Sequence, residues 1–209
     1  MPSYAPSMDI RELNRRALAY AGHVIEGAGE ARPTLPTPCA DWTLHGLLRH
    51  VVSQNEGFAA AARGRGAALS VWRDGRLGAD PYGAFAASAK LVTEAFGEEG
   101  VLDRPFDLPE VRDGVTIPGA VAIGFHFLDT LVHAWDVAAT VGAAWEPDGE
   151  LVTAALAVAA QVPGDTESRG PGLAFEPIVP VADGAPDGDR LLALLGRSPG
   201  WTPPGAEIR

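Results

Sequence analysis

Apolar residues recur at three- and four-residue steps through the first 160 positions, and that period is helical. Ile10, Leu13, Ala17, Tyr20, Ala21 and Val24 predict a helix over about 9–28, with Asp9 as its cap and Gly27 and Gly29 at its end. Pro33, Pro36 and Pro38 make the next stretch a stiff loop. A second helix opens at Asp41-Trp42-Thr43, where either Asp41 or Thr43 can cap it. Leu44, Leu47, Leu48, Val51, Val52 and Phe58 form its apolar face, which fades near Arg63–Gly66. A third, about 81–97, runs from Pro81 at its first turn to Gly97. A loop with Pro105 and Pro109 leads to a fourth helix, about 117–141, the most apolar segment of the chain. A short Ala-rich helix follows at about 149–161.

Beyond Pro163 the pattern changes. Ala174–Val181 is apolar but broken by Pro177 and Pro180, which allows extended chain or an edge strand at best. Arg190–Leu195 predicts a last helical turn or two before Gly196. The expectation is an all-α protein built as a helix bundle over 1–162. A mostly irregular extension, 163–209, packs on it.

Composition removes several functions. The 209 residues carry 16 basic and 27 acidic side chains, a net charge of −11, which opposes binding to phosphate backbones. Cys39 is the single cysteine, so neither an internal disulfide nor a zinc knuckle can form, and it is read as a structural thiol. No apolar run reaches the roughly 18 residues of a membrane span, and Met1–Ser7 has no basic or apolar leader pattern. A cytoplasmic protein that binds neither nucleic acid nor membrane is expected. Lys90 is the only lysine among the basic residues, a bias that fits a high-GC bacterial source. The Gly-x-Gly at Gly64 and Gly66 leaves a helix and lacks the third glycine and preceding strand of a dinucleotide site.

Chemistry concentrates on the fourth helix. At 100° per residue, His126, Asp129 and His133 fall within about 60° of each other, with Thr130 alongside and Asp136 at the edge. Such a stripe can simply face solvent. Yet residues 117–141 contain no Lys, Arg, Glu or Gln, the usual residues of a solvated face. A cation would instead suit imidazole and carboxylate donors, and Asp129 and His133 share one turn. A third donor has to come from another helix. His50, on the margin of the second helix's inward face, is the candidate, and a boundary histidine is the alternative. His23, His45 and Arg49 read as surface residues, with Arg49 also placed to meet an anion.

These residues also carry a resemblance. Thr37-Pro38-Cys39-Ala40-Asp41-Trp42-Thr43, followed by Leu47-Leu48-Arg49-His50-Val51-Val52, resembles the opening of the DinB-like, mycothiol-dependent maleylpyruvate isomerase superfamily. So does Leu131-Val132-His133-Ala134-Trp135-Asp136-Val137-Ala138. Arg190–Arg197 with Trp201 is similar to the tail of its actinobacterial metal-binding branch. The resemblance implies a DinB-like four-helix bundle holding a divalent metal, zinc or nickel, on His50, Asp129 and His133. The resemblance leaves His126, one turn before Asp129, open as an outer partner or a fourth ligand and does not settle which.

Asp129 stands where the isomerase has Glu, one methylene longer. The chain also carries only about 47 residues from position 163, fewer than the isomerase's C-terminal α/β module needs. The implied function is a metal-dependent thiol S-transferase or isomerase, using mycothiol or a related low-molecular-weight thiol on a small electrophile. A non-catalytic metal-binding bundle that takes a small ligand or partner, and a metal-dependent hydrolase, are the alternatives. Homodimers are common among such bundles.

Overall fold

A computed structural model describes residues 8–39, 42–110, 114–164, 169–170 and 175–204. Six helices and one small ribbon lie among them: α1 (Ile10–Gly27), α2 (Leu44–Ala62), α3 (Pro81–Phe96), β1 (Pro105–Asp107), β2 (Thr116–Pro118), α4 (Gly119–Val141), α5 (Gly149–Ala159) and α6 (Asp187–Leu194). The fold is mostly helical. No described helix is long and apolar enough to cross a membrane.

Local chemistry starts and stops these helices. The Asp9 carboxylate accepts from Arg11 N at 2.9 Å, Asp80 from Gly83 N at 2.9 Å and Asp148 from Glu150 N at 2.9 Å, each satisfying an orphan donor of a first turn. Thr43 caps α2 through Gly46 N; Asp41, the other candidate, lies outside the described residues. Gly142, at φ +70°, ends α4 in the left-handed conformation that glycine adopts without strain.

Two apolar clusters share α4. One gathers Leu18 and Ile25 of α1, Leu47, Val51 and Phe58 of α2, Phe85, Val92 and Phe96 of α3, and Ile123 and Val137 of α4. The other joins Leu13 and Ala17 to Phe127, Leu131, Leu151, Ala155, Leu191, Leu192 and Leu195. A helix serving two cores has little solvated face, which is why α4 is apolar almost all round. α1 runs against α4 and α2 against α3, with further α2–α4 and α1–α3 packing. The second cluster docks α6: Leu191, Leu192 and Leu195 are each at most 2% exposed. Burial of each is worth about 1.5–3 kcal/mol.

The boundaries differ from the sequence pattern in two places. Positions 105–116, expected as loop, and 117–118, expected as the start of the fourth helix, contain an antiparallel ribbon with Phe106 opposite Ile117. Prolines at 105 and 118 sit where a two-stranded edge tolerates a missing donor. Thr116–Pro118 are therefore strand, and α4 begins at Gly119. The final helix starts at Asp187, three residues before the expected Arg190. Residues 175–181 form neither helix nor strand, and the rest of the apolar stretch, Ala174, lies outside the described residues.

One close approach is specific enough to test. A Cβ added at Gly57 on α2 would sit 2.8 Å from Trp72 Cζ3 and nearer still to the indole's ring-fusion edge. Trp72 is pinned there because its Nε1 donates to Gly66 O at 2.7 Å. Gly57→Ala is expected to cost about 1–3 kcal/mol by overpacking, despite alanine's better helix propensity. Urea denaturation followed by circular dichroism measures it; an unchanged midpoint would show that Trp72 moves freely.

Candidate metal centre

α2 and α4 bring the three sequence-selected side chains together. One ligand-type atom each from His50, Asp129 and His133 lies within 4.8 Å of the others. His133 Nε2 is 3.2 Å from Asp129 Oδ1 across one turn of α4. The His50 and His133 rings meet edge to face with centroids 4.9 Å apart. Trp42, just before the cap of α2, lies on His50 at 4.3 Å between centroids. The stripe on α4 does not face solvent: His126, Thr130, His133 and Asp136 are all buried. Asp129 is the open side, its side chain 34% exposed.

The other face of His133 holds a second set of groups. Its Nδ1–H donates to Asp136 Oδ2 at 2.8 Å. The same oxygen receives the Cys39 thiol at 3.2 Å and Arg197 Nη2 at 3.1 Å. Arg197 Nη2 also donates to Cys39 Sγ at 3.3 Å. Cys39, His133 and Asp136 thus form a second trio of ligand-type atoms, sharing His133 with the first. Cys39 is half-buried and hydrogen-bonded.

The electrostatics follow from these partners. Burial, reinforced by the neighbouring His133, pushes His50 down to about 4, so its ring is neutral at pH 7. Burial acts to raise Asp129, but His133 beside it outweighs that and holds the carboxylate below its usual range. Burial opposes the charged form of Asp136 as well, yet Arg197 and His133 bring it to about 2. His133 is displaced upward: burial opposes its charge, and Asp129 and Asp136 together win. Two carboxylates, one imidazolium and one guanidinium balance, which is what allows so many charges to be buried together.

His126 belongs to neither trio. Its Nδ1 lies 2.7 Å from the Asn14 carboxamide and its Nε2 2.9 Å from Asn55 Oδ1. With both nitrogens engaged by α1 and α2, it is neither a fourth ligand nor a partner of Asp129, correcting the implied roles. His23 and His45 are exposed, as expected. Arg49 is exposed and reaches Arg73 O at 3.3 Å.

Sequence reasoning left Asp136 at the edge of the stripe and gave Arg197 no role. The signal for Asp136 was its spacing: a carboxylate three residues from His133 reaches the ring nitrogen turned away from Asp129. Arg197 had no such local signal.

The donor set suits a divalent cation. A neutral imidazole, an ionised carboxylate and a second imidazole oriented through its far nitrogen are the ligand types such ions take.

Residues 15–138, from α1 almost to the end of α4, match the family model described as the mycothiol maleylpyruvate isomerase N-terminal domain. Two proteins from two strains of Mycobacterium tuberculosis, both named as uncharacterised, are each 37% identical to the chain over 166 residues. The alignment covers 78% of this chain and 84% of theirs. No solved structure matches it. The matched segment contains both helices that supply His50, Asp129 and His133, and its extent settles the relationship: the chain belongs to the mycothiol maleylpyruvate isomerase N-terminal domain family.

Proposed function

We propose that His50, Asp129 and His133 hold a divalent metal ion, zinc or nickel. In this reading the protein is a thiol-dependent S-transferase or isomerase acting on a small electrophile. The observation that carries it is the convergence of the three donor atoms within 4.8 Å, from two helices far apart in sequence. The family supplies the thiol: its name couples this domain to mycothiol. Residues 1–162 then act as a DinB-like four-helix bundle carrying the ion, and 163–209 as an extension packed on it.

Each side chain has a defined task. His50 offers a neutral nitrogen at pH 7, since burial disfavours its charged form. Asp129 brings negative charge from the exposed side, where a small molecule can approach. Asp is one methylene shorter than Glu, so an ion would sit closer to α4 or Asp129 would bind it through water. Asp136 holds one His133 proton on Nδ1 and so directs Nε2 at that position, and the Nε2 proton shared with Asp129 in the ion-free protein would leave as an ion binds. Trp42 covers the other side of His50 and limits water there.

An ion held by His50, Asp129 and His133 would leave coordination positions open and would supply Lewis acidity that lowers the pKa of an entering thiol. The thiolate would form a carbon–sulfur bond at one carbon of an activated carbon–carbon double bond, whose π electron pair would move onto the activating group. Elimination after rotation about the former double bond gives isomerisation, and release of the adduct gives transfer.

The test is elemental analysis of protein purified without an affinity tag, followed by thiol-dependent loss of an electrophile. One transition metal per chain and turnover that requires both thiol and metal are expected. A metal-replete protein inert toward mycothiol and simpler thiols would leave a non-catalytic metal-binding bundle. Protein that takes up no transition metal would end the proposal.

A further inference from the structure

We propose that Arg197 is a positioning residue for the ion site, acting through Asp136, so that docking of the segment after α6 sets the affinity of the centre. The inference rests on the metal reading above.

The route is continuous. Asp136 is fully buried. Arg197 holds it with a fork, Nε 3.4 Å from Oδ1 and Nη2 3.1 Å from Oδ2. The same Oδ2 accepts the His133 Nδ1 proton at 2.8 Å. A buried carboxylate keeps one orientation only when its oxygens are held, and the Arg197 fork holds both. Without Arg197, the fork that fixes both Asp136 oxygens is lost. The His133 ring then loses both its orientation and the carboxylate that makes Nε2 a stronger donor.

The backbone explains how a residue from the far end of the chain arrives there. Leu191, Leu192 and Leu195 bury the inner face of α6 and the turn after it. Gly196 then turns at φ +78°, and a Cβ there would strike the Glu176 backbone at 2.8 Å. Arg197 N closes the turn onto Leu192 O at 2.9 Å, which points the side chain back at α4. Arg197 Nη1 donates to Leu195 O at 3.0 Å, tying the guanidinium to its own turn. Binding of the ion and docking of this segment are therefore linked, and each favours the other by the same factor.

The experiment measures zinc affinity by competition with a chromophoric chelator at a fixed neutral pH. It compares wild type, Arg197→Gln, Arg197→Lys, Asp136→Asn and the Asp136→Asn/Arg197→Gln double variant. Circular dichroism confirms the fold of each. Arg197→Gln is expected to weaken zinc about 10–100-fold. Arg197→Lys recovers part of that, since it restores the charge without the fork.

In the Asp136→Asn background, Arg197→Gln adds less than about twofold, because Arg197 reaches the ion only through Asp136. A general loss of packing would instead add fully. If Arg197→Gln fails to fold, the wild-type and Arg197→Lys pair carries the comparison. Independently, zinc is expected to slow hydrogen exchange of the 187–197 amides in wild type and not in Asp136→Asn. A folded Arg197→Gln protein with wild-type affinity, or additive effects in the double variant, overturns the inference while the metal reading stands. Wild-type protein that binds no zinc or nickel overturns the metal reading, and this inference with it.

Discussion

Protein carrying His133→Ala is expected to purify without a transition metal and to melt at the same temperature with and without added zinc. Wild-type protein saturated with zinc at 1,000 times its dissociation constant gains about 4 kcal/mol. For a chain of this length that corresponds to a rise of about 8–16 °C in Tm. The variant loses the Nε2 donor between His50 and Asp129, the only one of the three that is both buried and fixed through its far nitrogen. Its zinc affinity should fall by much more than the roughly 10–100-fold of an outer-partner change.

The ion-free fold should survive the substitution. Asp136 keeps Arg197 and Cys39 as partners, and Asp129 is open enough to be solvated. His50→Ala should remove the same zinc-dependent shift, because it empties the contribution of α2. Differential scanning calorimetry at matched zinc concentrations checks both. A His133→Ala protein that still gains the full shift would place the ion elsewhere.

The helices were legible because each buries a stripe at the helical period. Ile10–Val24, Leu44–Phe58 and Phe85–Phe96 announce α1 to α3 within one or two residues. The ribbon was not legible: its two strands are three residues each, begin or end in proline, and offer only Phe106 and Ile117 as a facing pair. Asp129 and His133 could be paired from spacing alone, since one helical turn determines their separation. His50 could not. Its place on the margin of α2 said nothing about which helix it faced, and the resemblance supplied that step.

The limit was the same for His126. Its position on the polar stripe grouped it with Asp129, whereas its partners are Asn14 and Asn55, on two helices whose relative rotation no local pattern records. The Asp136–Arg197 contact spans 61 positions, and nothing near Arg197 marks it as more than a surface residue after a helix end. Helical period thus reveals which residues share a face, and tertiary packing decides what that face meets. On α4 one stripe divides between the proposed ion site at 129–133 and a buried hydrogen-bond junction at 126.

That junction carries the second large expected effect. His126 is 1% exposed and lies edge-on to Phe58 and Phe96, with centroids 4.8 and 5.4 Å away. Asn55 Nδ2 donates to Ser88 Oγ at 2.9 Å, and the Ser88 hydroxyl donates to Phe85 O at 2.9 Å. Asn55 Oδ1 is therefore free to accept, and it takes the His126 Nε2 proton. Burial pushes His126 down to about 4, so the ring is neutral at pH 7 and has no second proton. Asn14 Oδ1 stands 2.7 Å from Nδ1, so a singly protonated ring requires the carboxamide to be flipped, its NH2 donating to Nδ1, an assignment made from the hydrogen-bond partners. Four helices meet in this chain of bonds.

His126→Phe keeps a ring of similar size and strands both asparagines. Each buried unsatisfied amide costs about 1–3 kcal/mol, so a loss of roughly 2–6 kcal/mol is expected from a total of about 5–15. The pH dependence separates this from simple misfit. In the unfolded chain His126 takes a proton below about 6.5, and in the folded protein only near 4. Between those values the unfolded state binds more protons, so wild-type stability falls as pH falls. His126 alone accounts for roughly 3 kcal/mol of that fall. His50 acts in the same direction, while the upward displacement of His133 acts above 6.5.

His126→Phe should therefore be much less stable than wild type at pH 7 and approach it as the pH nears 4. Its zinc affinity at pH 7, measured on the folded fraction, should be unchanged, since neither nitrogen of His126 faces the ion site. Urea titrations at several pH values decide the matter: parallel stability curves for the two proteins would mean that His126 is charged in the folded state, and equal stability at pH 7 would mean that the asparagines find other partners.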